Sequence, residues 1–320
     1  MEISNKLKER FCKDCNIPIR LYDEPYFMDR IKLYDKFYDT MKKWELFVDE
    51  LQNYKCEQDY FEEYNKVKDS AISCIKETEA YQKFNAEDMN KYVVTHKNLP
   101  NSDIYKPSND GRTFISIDMK KANFSSLQYY DRGMFYNANT WEDFMCRFTF
   151  NEHIINSKYI RQVILGNCNP KRHITYEKWI MDCVLSKLEE KAKCKLTENL
   201  VFFSNDEIVY DVTDLGIAVA NRIRNALFFT LKEEFCMPFR VELFTLHKIN
   251  GTDGYYKKIF VQDTYKIELK GLNNYYMPFV LRKLLGEDIT ENDKVFLNDG
   301  LLSKFIEVPE IEVEISNVCN

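Results

Sequence analysis

Two stretches decide the fold: Thr113-Phe114-Ile115-Ser116-Ile117-Asp118 and Leu200-Val201-Phe202-Phe203-Ser204-Asn205-Asp206-Glu207-Ile208-Val209-Tyr210. The first alternates, is rich in β-branched residues, and reads as a strand that ends on an acid. The second reads as a strand, a tight polar turn and a returning strand, a β-hairpin with Asp206 and Glu207 at its tip. If the two are neighbours in a sheet, Asp118, Asp206 and Glu207 converge at one edge. Three crowded carboxylates repel unless cations neutralise them, and an all-oxygen donor set suits Mg²⁺ or Mn²⁺. Two such ions about 4 Å apart activate an attacking hydroxyl and stabilise a leaving pyrophosphate, the physical logic of nucleotidyl transfer. The competing reading of Asn205-Asp206-Glu207 is an ordinary solvated hairpin tip.

Outward from these stretches, helices are expected over residues 122–130, 141–148 and 153–164 and, after Gly166-Asn167-Cys168-Asn169-Pro170, over 175–193. Beyond the hairpin, a helix over 215–235 leads to a strand at 239–246 and a second hairpin at 255–261 and 264–269. A helix at 275–285 and an acidic, strand-like tail close the chain. Before the first strand lies a loop at 98–111, carrying Pro100, Pro107 and the turn-like Asn109-Asp110-Gly111. Before that the pattern is helical. Phe37, Met41, Trp44, Val48 and Leu51 recur at three- and four-residue spacing, and Phe61, Tyr64, Val67 and Ala71 continue the habit. Two long antiparallel helices broken near residues 53–58 are expected, their apolar stripe being core or a face for a protein partner. The sum is an α+β protein with a helical domain over 1–110, a mixed unit over 111–262 and a small C-terminal unit over 263–320.

Composition narrows the classes. At 320 residues and 45% hydrophobic, the chain can bury a sizeable core and is no disordered tail. It has no apolar run of about 18 residues and its charged N-terminus lacks a signal's apolar stretch, so a cytoplasmic protein with no membrane span is expected. Its ten cysteines follow no disulfide framework, and Cys12 with Cys15, the one CxxC, lacks a second ligand pair for zinc. His96, His153, His173 and His247 show no metal spacing. With a net charge of −6, nucleic-acid binding would need a local basic groove. The absence of a Gly-rich phosphate loop, a GxSxG elbow and an HExxH motif argues against the commonest NTPase, hydrolase and zincin classes.

Asp118-Met119-Lys120-Lys121-Ala122-Asn123-Phe124-Ser125 resembles the D-x-x-x-A-Y-F-S motif of reverse transcriptases, and residues 203–210 are similar to their catalytic hairpin. The turn also looks like the H-D-E turn of family A DNA polymerases, with Asn205 in place of His. The short intervals from Asp118 to Gly166 and from Gly166 to Asp206 are closer to those of reverse transcriptases. The chain thus resembles right-hand palm polymerases over roughly half its length. That resemblance implies a palm built on an antiparallel sheet with packed helices, a short fingers-like insertion, and a reduced thumb at the C-terminus. It implies that Asp118 and Asp206 are the primary metal ligands, with Glu207 secondary, and that Asn123 or Phe124 faces the nucleotide sugar. Gly166 falls in the segment that cradles template and nucleotide. The sequence departs from the pattern in three places: Asp-Glu replaces Asp-Asp, the ribose-blocking aromatic is Asn123, and no Pro-Gln-Gly stands near Gly166.

Basic residues supply the rest of the expected site. Lys171 and Arg172 at a helix start would contact a triphosphate, or be an ordinary solvated helix end. Arg161, and Lys257 and Lys258 among Tyr255, Tyr256 and Phe260, would touch a nucleic-acid backbone, or protect an edge strand in the case of the lysines. Lys120 and Lys121 would lower the pKa of Asp118 or approach phosphate. The sequence therefore points to a nucleotidyltransferase, a compact polymerase that uses Mg²⁺ or Mn²⁺, nucleoside triphosphates and a primer and template. The alternative is a catalytically inactive palm-fold subunit that binds nucleic acid or a replication partner. A third reading makes the N-terminal helices a protein-docking module.

Overall fold

Strand β1 (Thr113–Met119) lies in the middle of a six-stranded antiparallel sheet in the computed structural model, which describes residues 3–192, 197–262 and 264–313. On one side it pairs with β3 (Glu207–Asp211), itself the partner of β2 (Leu200–Phe203). On the other it pairs with β4 (Phe239–Lys248), followed by β5 (Tyr255–Val261) and β6 (Thr264–Lys270). The hairpin joining β2 and β3 and the second one joining β5 and β6 form as the alternation and turn residues predict.

Alternation gives the sheet two unlike faces. Ile115, Ile117, Met119, Ile208, Val241, Leu243 and Tyr256 are buried on the face covered by helices. α11 (Ile217–Glu234) runs against β4, and α10 (Pro170–Ala192) packs on α6 (Ala122–Tyr130). On the opposite face Phe114, Val209, Phe244, Leu246 and Ile259 form a separate cluster capped by Ile104 and Tyr105. Further along the same strands that face turns polar.

The N-terminal region is a bundle of shorter helices than the periodicity suggested: α1 (Asn5–Asp14), α2 (Tyr26–Tyr38), α3 (Thr40–Leu51), α4 (Glu57–Glu77) and α5 (Glu79–Ala86). The break after Leu51 falls where expected, but Asp39 in the left-handed region (φ 51°) and extended Thr78 add two more. Trp44, Leu51, Tyr64, Val67 and Ala71 are buried, and Phe37, Met41, Val48 and Phe61 pack against the same core, so the stripe is interior. α7 (Trp141–Met145) is shorter than expected. The helix expected over 153–164 is two, α8 (Glu152–Asn156) and α9 (Lys158–Gly166), because extended Ser157 caps α9 by accepting the Ile160 N–H. α10 begins at Pro170, which suits a first turn with no N–H to spare; the expected end at Lys193 lies outside the described residues.

The C-terminal part consists of α12 (Met277–Leu285) and a two-stranded sheet of β7 (Val295–Asn298) and β8 (Leu301–Lys304); residues 314–320 of the acidic tail lie outside the described residues. The boundary expected at 262 cuts the last hairpin, since β6 belongs to the large sheet. One core runs from Leu7 to Ile311 without interruption, so the three sequence units are packed as one body. Buried Arg30 on α2 bonds Asp293 at 2.8 Å, fastening the C-terminal part to the helical bundle. No described helix is long and apolar enough to cross a membrane.

A buried carboxylate ties the helices together. Asp14, fully buried, accepts hydrogen bonds from Tyr64 Oη (2.8 Å) and Ser157 Oγ (2.8 Å) and faces His153 Nε2 at 3.1 Å, linking α1 to α4, α8 and α9. Removing it strands several buried polar groups. Asp14→Ala is expected to cost about 3 kcal/mol or more, read as a lower urea midpoint at unchanged slope. Glu9→Ala, which breaks a half-exposed pair with Lys13, should cost less than about 1 kcal/mol.

Candidate active site

The β1–β3 register sets Asp118 directly opposite Glu207. The hairpin tip is stitched to the end of β1 by a 2.9 Å bond from the Met119 N–H to the Asp206 carbonyl. Ser204 shapes the turn: its Oγ donates to Asp206 Oδ1 (3.0 Å) and accepts from the backbone N–H of Glu207 (3.0 Å). The Ser204 N–H closes the hairpin on the Glu207 carbonyl at 2.8 Å. The three acids singled out from the sequence therefore stand together at one end of the sheet, Asp118 and Glu207 on the face that helices do not cover.

Their electrostatics follow from partial burial. Burial pushes the pKa of Asp118 up, and Asp206 and Glu242 push it further, against the opposing pull of Arg240. Arg240 on β4 holds Asp118 Oδ2 from Nη2 at 3.1 Å. Glu207 is likewise raised, first by burial and then by Asp118 and Asp206, with Lys257 opposing from 3.8 Å. An all-carboxylate group in which Asp118 and Glu207 are held above their ordinary range by burial and nearby acids fits a hard divalent cation in its chemistry. Among the described residues no three His, Cys, Asp or Glu side chains are arranged to hold a metal ion. Asp118 is turned onto Arg240 and Asp206 onto Ser204.

The other expected site residues scatter. Asn123 is half-buried on α6, while Phe124 is buried against Phe135 and Trp141 (centroids 4.6 and 5.9 Å), a core side chain with no surface for a sugar. Gly166 ends α9 with open space where a Cβ would point, so no close backbone approach requires glycine there. Lys171 is exposed at the start of α10. Arg172 donates to the carbonyls of Phe84 (2.8 Å) and Glu87, capping the end of α5, and is spent there rather than on a phosphate. Lys257 is buried over the Phe244 ring (4.3 Å) and serves Glu207 from inside, which removes it as a surface contact. Lys258 faces the other way, over the Tyr265 ring at 4.4 Å. Arg161 is half-buried beside Lys158. Lys121 pairs with Glu142 at 2.5 Å, away from Asp118.

Two features went unread in the sequence. Arg240 and Glu242 alternate along β4 and so share the face of Asp118, but only the β1–β4 register brings them beside it. Glu177 lies on the apolar side of α10 between Tyr176 and Ile180, buried to 4% exposure, where it accepts from Asn205 Nδ2 (2.8 Å) and Ser126 Oγ (3.4 Å). An acid in phase with an apolar stripe was the signal that could have found it. Burial, with some help from Asp206, raises its pKa to about 7 despite the two hydrogen bonds.

Because the folded pKa of Glu177 stands above its ordinary 4.5, the native state holds a proton that the unfolded chain has lost in this interval. Its contribution to stability therefore falls as pH rises from about 4.5 to about 7. Glu177→Gln is expected to remove that decline, so that the stability difference between variant and wild type grows across this window by about 3 kcal/mol at most. Urea titrations at a series of pH values measure it; an unchanged difference would mean the carboxyl is solvated. The chain matches no protein-family model, no curated protein and no solved structure, so the chemistry of the site rests on these residues alone.

Proposed function

We propose that this chain is a metal-dependent nucleotidyltransferase of compact palm type, with the six-stranded sheet as palm, α7 to α9 as a short fingers-like insertion, the C-terminal part as a small thumb, and the N-terminal helical bundle as a separate helical region. The observation that carries the reading is the register pair Asp118 and Glu207 on the open face of the sheet, with Asp206 in the adjoining turn stitched by its carbonyl to the end of β1. Asp118 and Asp206 would hold Mg²⁺ or Mn²⁺, with Glu207 beside them. A bound ion supplies Lewis-acid activation of a hydroxyl and stabilisation of a leaving pyrophosphate. The chain's own part is to set the carboxylates at one sheet end, to fix the hairpin turn through Ser204 and through Asn205 on Glu177, and to offer Arg240 and Lys158 to phosphate from an adjoining cleft. Primer and template nucleic acid and nucleoside triphosphates are the substrates this chemistry would serve.

One observation favours the second reading, an inactive palm subunit that binds nucleic acid or a replication partner. Arg240 and Lys257 already neutralise Asp118 and Glu207, as cations retained in place of a metal would.

The test is incorporation of labelled dNTPs or NTPs on primed and unprimed templates with Mg²⁺ or Mn²⁺. Asp118→Asn and Asp206→Asn are expected to lower incorporation at least about a hundredfold, the order lost when a group stabilising transition-state charge is removed, and to abolish Mn²⁺ binding. No incorporation under any condition, with Mn²⁺ uptake indifferent to both substitutions, would leave the inactive palm.

A further inference from the structure

Where the open face of the sheet meets the helical bundle there is a cleft of about 750 Å³, lined by the loop after α1, the α2–α3 junction, the start of α9, Arg240 and the β6 strand. Seven of its twenty lining residues are Lys or Arg and two are acidic, an excess of five positive charges in a chain whose net charge is −6. The cations come from several elements: Arg20 from the loop after α1, Lys43 from α3, Lys158 from α9, Arg240 from β4, and Lys266 and Lys270 from β6. Arg240 also holds Asp118, so one side chain links the cleft wall to the acidic end of the sheet, although the three acids themselves do not line the cleft. Three of these cations already face acids, Lys13 with Glu9, Arg240 with Asp118 and Glu242, and Lys270 with Glu268, while Arg20, Lys43, Lys158 and Lys266 add to the positive side. The pKa of Lys158 is lowered by partial burial and then by Arg161, Lys270 and Arg240. Phe37, Tyr38 and Tyr159, each half-buried, line the same space and leave only part of their rings open to it.

We infer that this cleft binds the phosphodiester backbone of a single nucleic-acid strand, with the N-terminal helical bundle supplying one of its walls. The inference rests on the nucleotidyltransferase reading for the identity of the anion; the excess of charge stands without it. A compact triphosphate is held by donors converging on one point, commonly a glycine-rich turn at a helix start. None of the twenty lining residues is glycine, and the cations are spread along the cleft. A basic groove interleaved with aromatic side chains is the arrangement that follows a strand and stacks its bases.

The test is fluorescence anisotropy of labelled oligo(dT) and oligo(rU) with the full chain, in chelator, across a salt series. Arg20, Lys158 and Lys266 are exposed and lie on three different elements. The triple variant Arg20→Gln, Lys158→Gln, Lys266→Gln is expected to bind at least tenfold more weakly and to lose about two units of log–log salt slope, the loss for three contacts to a single strand. Lys66→Gln with Lys76→Gln, exposed on α4 and outside the cleft, should bind as wild type does. Thermal melts establish that the triple variant folds; if it does not, the three single variants are read instead. Absence of oligonucleotide binding, or equal binding by the triple variant, overturns the inference. So does a variant-sensitive affinity for inorganic triphosphate or polyglutamate that oligonucleotides lack. Binding is read in chelator and without turnover, so a failure of catalysis leaves this result standing and a failure of binding is seen independently of catalysis.

Discussion

The repulsion between Asp118 and Glu207, fixed face to face by the β1–β3 ladder, is the constraint around which the open face of the sheet is arranged. The register has no freedom to relieve it. Ile115 and Ile117 are fully buried beneath helices, and a slip of one residue would turn them to the open face and drive Asp118 into the core. Relief comes instead from neighbouring strands: Arg240 of β4 stands at the level of Asp118, and Lys257 of β5, registered with Leu246 further along the sheet, reaches Glu207 at 3.8 Å. Glu242 and Glu268 extend the alternation, so the sheet carries a band of acids and bases across several strands. The band is stable as a network, and each carboxylate in it is sensitive to the removal of a nearby cation.

The parts of this arrangement that were legible in the sequence are those with a local period. Thr113 to Asp118 alternates and stops on an acid, and the polar run Ser204 to Glu207 sits between two apolar strands, so both strands and the turn could be read directly. The shared position of the three acids followed once the two strands were taken as neighbours. What could not be read is whatever depends on register between distant segments. Arg240 pairs with Asp118 across 122 positions of chain because β4 passes beside β1 at that level, and nothing in Phe239-Arg240-Val241-Glu242 announces it. Arg172 and Lys257 looked like free cations because sequence shows charge and not burial; one caps α5 and the other lies over Phe244. Phe124 was drawn toward a sugar by resemblance to a motif, whereas the ring packs on Phe135 and Trp141. Helix breaks at Asp39, Thr78 and Ser157 escaped because apolar periodicity runs across them while the backbone does not.

The helical bundle has more to do than enclose apolar surface. Asp14 gathers α1, α4, α8 and α9 at one buried point, and Arg30 binds the C-terminal part from the opposite side. Both attachments hold the loop after α1 and the start of α9, the two walls that carry Arg20 and Lys158, in fixed relation to β6. A cleft assembled from elements this distant in sequence keeps its charge spacing only if such ties are rigid. That is a reason for buried polar groups to persist where apolar side chains would pack as well.

Arg240 stands at the junction of the two readings of the site. Its guanidinium is 3.1 Å from Asp118 and 3.7 Å from Glu242, and it is also part of the cleft wall, with nearly half its side chain exposed. A guanidinium can serve a carboxylate and a phosphate from different edges, and it remains charged whichever it serves. An anion entering the cleft would therefore compete with Asp118 for Arg240, and to the extent that it wins, Asp118 is left raised and in want of a cation. If the site is catalytic, Arg240 would serve the substrate phosphate and Asp118 would be left to hold Mg²⁺ or Mn²⁺, so that both ligands would depend on this one side chain. If the site is not catalytic, the same residue is the permanent counter-ion and the cleft binds a strand without altering the acids. The two readings thus differ in how the occupancy of the cleft is coupled to the state of Asp118, a difference set by one guanidinium and not by the fold.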